Sequence, residues 1–130
     1  MYYAFDRTAL GNGPIWTATI AVARSCLQCG QGSISSSAFD GSTLYVVGGN
    51  TTINGTSCKG SLRALKLADG SFVWQACLQG TVMGAGSEVP GVLAVVDGSN
   101  LTLVNSGTGV TLFDNSNKFY GSLSILNGVL

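Results

Sequence analysis

Four cysteines are the residues of this chain best equipped for chemistry: Cys26 and Cys29 in a Cys-x-x-Cys pair, then Cys58 and Cys77. Four thiols can staple two loops, hold a zinc ion or exchange electrons as a dithiol. The chain has no histidine. That excludes Ser-His-Asp and Cys-His catalysis and any imidazole metal ligand. It also excludes haem attachment at Cys26-Leu27-Gln28-Cys29-Gly30, which needs histidine in the last place. A four-thiolate zinc site wants a second tight pair, and Cys58 and Cys77 stand too far apart for one. A redox dithiol normally sits at a helix N-terminus, and no helical periodicity surrounds Cys26. Two structural disulfides in an oxidising compartment are the expected use of the four sulfurs.

The acids number six: Asp6, Asp40, Asp69, Glu88, Asp97 and Asp114. Asp40, Asp69 and Asp97 read as turn residues, because Asp bonds its own backbone there. Glu88 alone stands near the start of an inner strand. No convergent carboxylate set emerges, so no catalytic residue, metal ligand or cofactor is assigned. The net charge is zero, which leaves no basic stripe for a nucleic-acid backbone. Charged residues make up only 9%, too few for a disordered chain or a coiled coil. The apolar runs, Leu44 to Val47 and Val92 to Val96, are strand-length and far short of a membrane span. The chain enters strand-like sequence directly at Tyr2 with no leader, and so reads as an excerpt of a longer secreted protein.

The elements that must position these residues come from internal repeats. One segment recurs three times. It reads Ala4-Phe5-Asp6 to Gly13-Pro14-Ile15-Trp16, then Ala64-Leu65-Lys66 to Gly70-Ser71-Phe72-Val73-Trp74, then Leu103-Val104-Asn105 to Gly109-Val110-Thr111-Leu112-Phe113. Each copy is a strand, a Gly-containing turn and a strand carrying an aromatic, which is a hairpin. A second hairpin type alternates with it, turning at Asp40-Gly41, Pro90-Gly91 and Asn127-Gly128. The recurrence is near 38 residues with one enlarged unit, and about 40 residues make a four-stranded propeller blade. The expected fold is therefore all-β, a β-propeller fragment of about three four-stranded antiparallel blades. Naming the strands of a blade A to D from axis to rim, residues 2–20 hold C and D of one blade. Residues 34–78 and 87–114 hold full blades, and residues 121–130 open the next.

The repeat Ala-x-Asp-x-x-(Thr/Asp)-Gly-x-x-x-Trp resembles the tryptophan-docking motif of pyrroloquinoline-quinone (PQQ) repeat propellers. That family includes quinoprotein alcohol dehydrogenases and outer-membrane assembly lipoproteins. Ala64, Gly70 and Trp74 match the motif best. The copy at Ala4, Asp6 and Trp16 carries two extra turn residues, Lys66 stands in place of the usual Asp, and the third copy has Asn105 and Phe113. The resemblance implies that Trp16, Trp74 and, in their place, Phe113 pack between neighbouring blades, with the indole N–H bonded to backbone.

Blade topology also places the sulfurs. The B–C loop and the D-to-A crossover of an up-and-down blade lie on one face. Cys26 and Cys29 fall in the crossover 21–33, Cys58 in the B–C loop 48–60 and Cys77 at the far end of strand D, so all four share that face. Pairing Cys26–Cys29 and Cys58–Cys77 is favoured, and pairing across the loops comes next. Simple register about Asp69-Gly70 sets Cys77 opposite Leu62 rather than Cys58, so the loop must curl back for that bond to form.

The same face carries the long loops, where binding concentrates. Arg24, Gln28, Gln31, Asn50, Asn54 and Lys59 are the candidate binding residues. Asn50, Asn54 and Asn100 also head Asn-x-Thr sequons. The expected function is an extracellular or periplasmic scaffold that presents loops 21–33 and 48–60 to a protein or glycan partner. Its open ends are completed by further copies or by a longer chain. The alternative is a fragment of a PQQ-dependent dehydrogenase. Such an enzyme needs carboxylate and amide ligands for a cation beside the quinone and an adjacent Cys pair, whereas two residues separate Cys26 from Cys29.

Overall fold

The computed structural model describes residues 1–22, 25–26, 29–126 and 129. Among the described residues the named elements are twelve strands and the 3-10 turn Leu10–Asn12. The fold is all-β and every strand pairing is antiparallel.

A two-stranded sheet comes first, β1 (Tyr2–Phe5) with β2 (Pro14–Ala18). The second sheet has four strands, β3 (Ala38–Phe39), β4 (Thr43–Gly48), β7 (Gly60–Lys66) and β8 (Phe72–Leu78), in that order. A separate ribbon, β5 (Thr51–Ile53) with β6 (Thr56–Cys58), is inserted between β4 and β7. The third sheet also has four strands, β9 (Ser87–Val89), β10 (Val92–Asp97), β11 (Asn100–Asn105) and β12 (Thr111–Asn115). Beyond it, the described residues hold one isolated bridge, Leu126 to Val129. The turn expected at Asn127-Gly128 lies outside the described residues.

Period-two alternation explains how the sheets stack, because successive side chains of a strand point to opposite faces. In β4 and β7, Tyr45, Val47, Leu62 and Ala64 face the third sheet, where they meet Leu93, Val95 and Val104. Their neighbours Leu44, Val46 and Leu65 face the first sheet and pack on Trp16, Ala18 and Ile20. The middle sheet is thus packed on both sides, and its strand β4 reads as a continuous apolar run from Leu44 to Val47. Leu62, Leu65 and Leu93 are fully buried, and each contributes about 2 kcal/mol by leaving water.

The three repeats share one irregularity. Each outer hairpin slips by one residue, between Ala4 and Phe5, between Ala64 and Leu65, and between Leu103 and Val104. The slip leaves Ala4 opposite Trp16, Ala64 opposite Trp74 and Leu103 opposite Phe113. The extra residue is Ile15, Val73 or Leu112, and all three are exposed. A bulge of this kind re-aims the next side chain.

Two of the three aromatics are aimed at the following sheet. The Trp16 indole N–H donates to the Leu67 carbonyl at 2.7 Å, and that of Trp74 to the Ser106 carbonyl at 2.9 Å. Each ring lies flat over a turn glycine, Gly70 and Gly109, both at positive φ. A Cβ on either glycine would overlap the ring. Phe113 occupies the same strand position but is 46% exposed.

The bulge also corrects the expected register of Cys77. It pairs with Ser61 instead of Leu62, because the slip at Ala64/Leu65 shifts the rest of the hairpin by one.

Candidate functional site

The crossover after β2 and the segment between β4 and β7 meet through backbone hydrogen bonds. The segment 48–60, expected to be a loop, holds the β5–β6 hairpin, with Asn54 and Gly55 both at positive φ in its turn. Asn-Gly between β-branched residues is the strongest short hairpin signal, and Thr51-Thr52-Ile53-Asn54-Gly55-Thr56 carries it. The ribbon supplies the curl that a Cys58–Cys77 bond requires. That bond is present, with a Cα separation of 5.1 Å, and Cys58 is buried. Cys26–Cys29 is the second bond, at 5.2 Å.

The crossover after β2 is woven to the start of the ribbon by backbone. The Val22 N–H donates to the Asn50 carbonyl at 2.8 Å, Gly32 N–H to Val22 at 2.8 Å, and Gly49 N–H to Gly32 at 2.9 Å. Gly49 permits this approach, since a Cβ there would strike the carbonyls of Gly30 and Gly32. The Asn50 amide donates to the Cys29 carbonyl at 3.4 Å. Gln31 is turned inward as well: its Oε1 accepts the Cys26 N–H at 3.1 Å and its own N–H donates to the Cys26 carbonyl. Of the candidate binding residues, Asn50 and Gln31 therefore build the loop they belong to. Asn54 and Lys59 are exposed on the ribbon, and Arg24 and Gln28 lie outside the described residues.

Beneath this surface lies a residue that the sequence did not single out. Arg63 is 2% exposed, on the β7 face toward the first sheet. Its Nε donates to Gln75 Oε1 at 2.9 Å, and its Nη1 to Ser61 Oγ at 2.7 Å and to the Ile20 carbonyl. Its Nη2 donates to Thr51 Oγ1 at 3.0 Å. The guanidinium carbon also stands 5.3 Å from the centre of the Phe72 ring. All four acceptors are neutral, and burial lowers the guanidinium pKa. One side chain thus joins the crossover, the ribbon and strands β7 and β8 of the middle sheet.

Asp97 is the counterpart one sheet on. Instead of an exposed turn residue it is 2% exposed, the last residue of β10. Its Oδ2 accepts the N–H groups of Gln79 and Gly80 at 2.8 and 3.3 Å, and its Oδ1 accepts the Thr102 hydroxyl at 3.3 Å. Burial pushes its pKa up, and these hydrogen bonds offset part of the shift.

Three of the other acids serve turns. Asp40 accepts Ser42 and Thr43 N–H groups and the Tyr45 hydroxyl, which hold its carboxyl well below the usual range. Asp6 and Asp69 accept from Thr8 and Ser71 in the same manner. Burial and then the nearby Asp40 charge push Glu88 upward. No group of three or more acids and cysteines capable of holding a metal occurs among the described residues. A cavity of about 150 Å³ lies between the chain start and the crossover, lined by Met1, Tyr2, Ile20, Ala21, Gly32, Ser33 and Ser35. The buried Ser35 hydroxyl has no hydrogen-bond partner.

Among the described residues, no helix is long and apolar enough to cross a membrane. No protein-family model matches the sequence, and no curated protein matches it significantly.

Proposed function

We propose that this chain is part of an extracellular or periplasmic β-propeller of the PQQ-repeat type, a scaffold whose stapled loop side binds a protein or glycan. The observation that carries the reading is an asymmetry. The ribbon, the stapled crossover and both disulfides gather together, while the turns at Asp40-Gly41 and Pro90-Gly91 are short. Rigid sheets with elaborated loops on one side are the usual architecture of binding scaffolds. The two disulfides support the oxidising location. The repeated hairpin slip and the two rings laid on turn glycines support the propeller reading. Open outer sheet faces, with Tyr3, Phe5 and Phe113 exposed, support completion by further sheets.

Exposed ribbon side chains are where recognition is expected. A glycan array probed with the folded chain should give a signal that Asn54→Gly with Lys59→Ala abolishes, while the melting temperature stays unmoved because glycine tolerates the positive φ of Asn54. An array signal indifferent to both substitutions would reject the ribbon as the contact surface. Incubation with PQQ and calcium separates the dehydrogenase reading, because quinone absorbance retained after desalting would revive it.

A further inference from the structure

We propose that Cys26–Cys29 is a thiol–disulfide exchange site, opened and closed by a dithiol reductant while Cys58–Cys77 stays formed. The two bonds differ in what holds their surroundings. The base of the crossover is pinned without sulfur, by Gly32 N–H on Val22, Val22 N–H on Asn50 and Gly49 N–H on Gly32. Inside that base the Cys26 carbonyl accepts the N–H groups of Cys29 and Gln31, and Gln31 Oε1 accepts the Cys26 N–H. Cys26 and Cys29 are three residues apart, so their bond removes little chain entropy. Cys58 and Cys77 are 19 residues apart and tie the ribbon to β8.

Leaving-group burial separates them further. Exchange requires one sulfur to depart as thiolate, and a buried thiolate is a poor leaving group. Cys29 is exposed and Cys26 half-buried, so either sulfur departs into partial contact with water. Cys77 is exposed, but attack on it must expel Cys58, which is only 3% exposed.

A reductant thiolate attacks Cys29 Sγ, a mixed disulfide forms, and Cys26 leaves as thiolate and takes a proton from solvent. The second reductant thiol, deprotonated, attacks its partner sulfur in the mixed disulfide. Cys29 then leaves as thiolate and is protonated. Two electrons pass to the cysteine pair, and the reductant ends as a disulfide.

The experiment is a graded dithiothreitol titration of the folded chain, trapped with iodoacetamide and read by peptide mass spectrometry. Cys26 and Cys29 should be alkylated together at about tenfold less reductant than Cys58 and Cys77, with far-UV circular dichroism unchanged. Opening of both pairs at one concentration, or of Cys58–Cys77 first, would overturn the proposal. The Cys26→Ser, Cys29→Ser double variant should fold with the parent spectrum. Its failure to fold would show that the base is not pinned without sulfur, and would overturn it equally.

Discussion

The seam between the first and second sheets and the seam between the second and third are built to one plan with opposite charges. At both, a tryptophan on the outer strand lies on a turn glycine of the next sheet and donates to a turn carbonyl. At both, a buried ionisable side chain reaches back to the crossover that leads into its own sheet. In the first it is Arg63, donating to the Ile20 carbonyl. In the second it is Asp97, accepting from Gln79 and Gly80 N–H. A crossover leaving a sheet edge carries unpaired backbone groups, and burial without a partner costs each about 1–3 kcal/mol. What the fold demands is that such groups be satisfied. Whether the orphan is a carbonyl or an amide decides whether a cation or an anion does it.

The comparison can be broken at several points. Trp74 packs against the larger of the two core clusters and Trp16 against the smaller. Trp74→Ala should therefore cost about 3–5 kcal/mol in denaturant melts, and Trp16→Ala measurably less. Equal losses would erase the asymmetry between the seams. Replacing Cys58 and Cys77 by Ser should cost about 3 kcal/mol by releasing the unfolded chain, seen as a lower denaturant midpoint with a slope no smaller than the parent's.

Arg63→Met should cost about 2 kcal/mol by stranding the Ile20 carbonyl and the Thr51 hydroxyl. Amide exchange should then quicken at Val22 and Gly32 but not at Gln79 and Gly80. Faster exchange at both crossovers would mean that the seams are not independent.

Asp97 tests the opposite sign. Its folded pKa is raised above the unfolded value, so its contribution is fully present below the unfolded pKa and is lost as pH rises through the folded one. Asp97→Asn keeps an acceptor for the two N–H groups. It should cost about 1 kcal/mol or less at acid pH and flatten the decline of stability with rising pH. A variant with the parent pH profile would remove Asp97 from the account. The smallest effect belongs to Phe113, whose truncation to Ala should change stability by about 0.5 kcal/mol or less, because it is exposed where its counterparts are docked.

Much of this architecture was legible in the residues. Gly and Asp marked the turns, β-branched runs marked the strands, and the period set off two four-stranded units. The ribbon was legible too, in Asn54-Gly55 between the β-branched Ile53 and Thr56, although the polar residues around it resemble a loop. Other features could not be read. Counting back from Asp69-Gly70 misplaces Cys77 by one, because a bulge depends on how Trp74 must aim at the third sheet. Asp97 stands beside Gly98 like any turn aspartate, and only the return of residues 79–80 over it makes it a buried acceptor.

The sequence by itself determined an all-β chain, with repeated hairpins and sulfurs suited to pairing, because turn chemistry and period-two alternation act over a few residues. Tertiary structure alone decided which ring covers which glycine, which slip sets each register and which charged side chain is taken from water. Those choices join residues such as Trp16 and Leu67, or Arg63 and Ile20, that are far apart along the chain and meet only once the sheets have stacked.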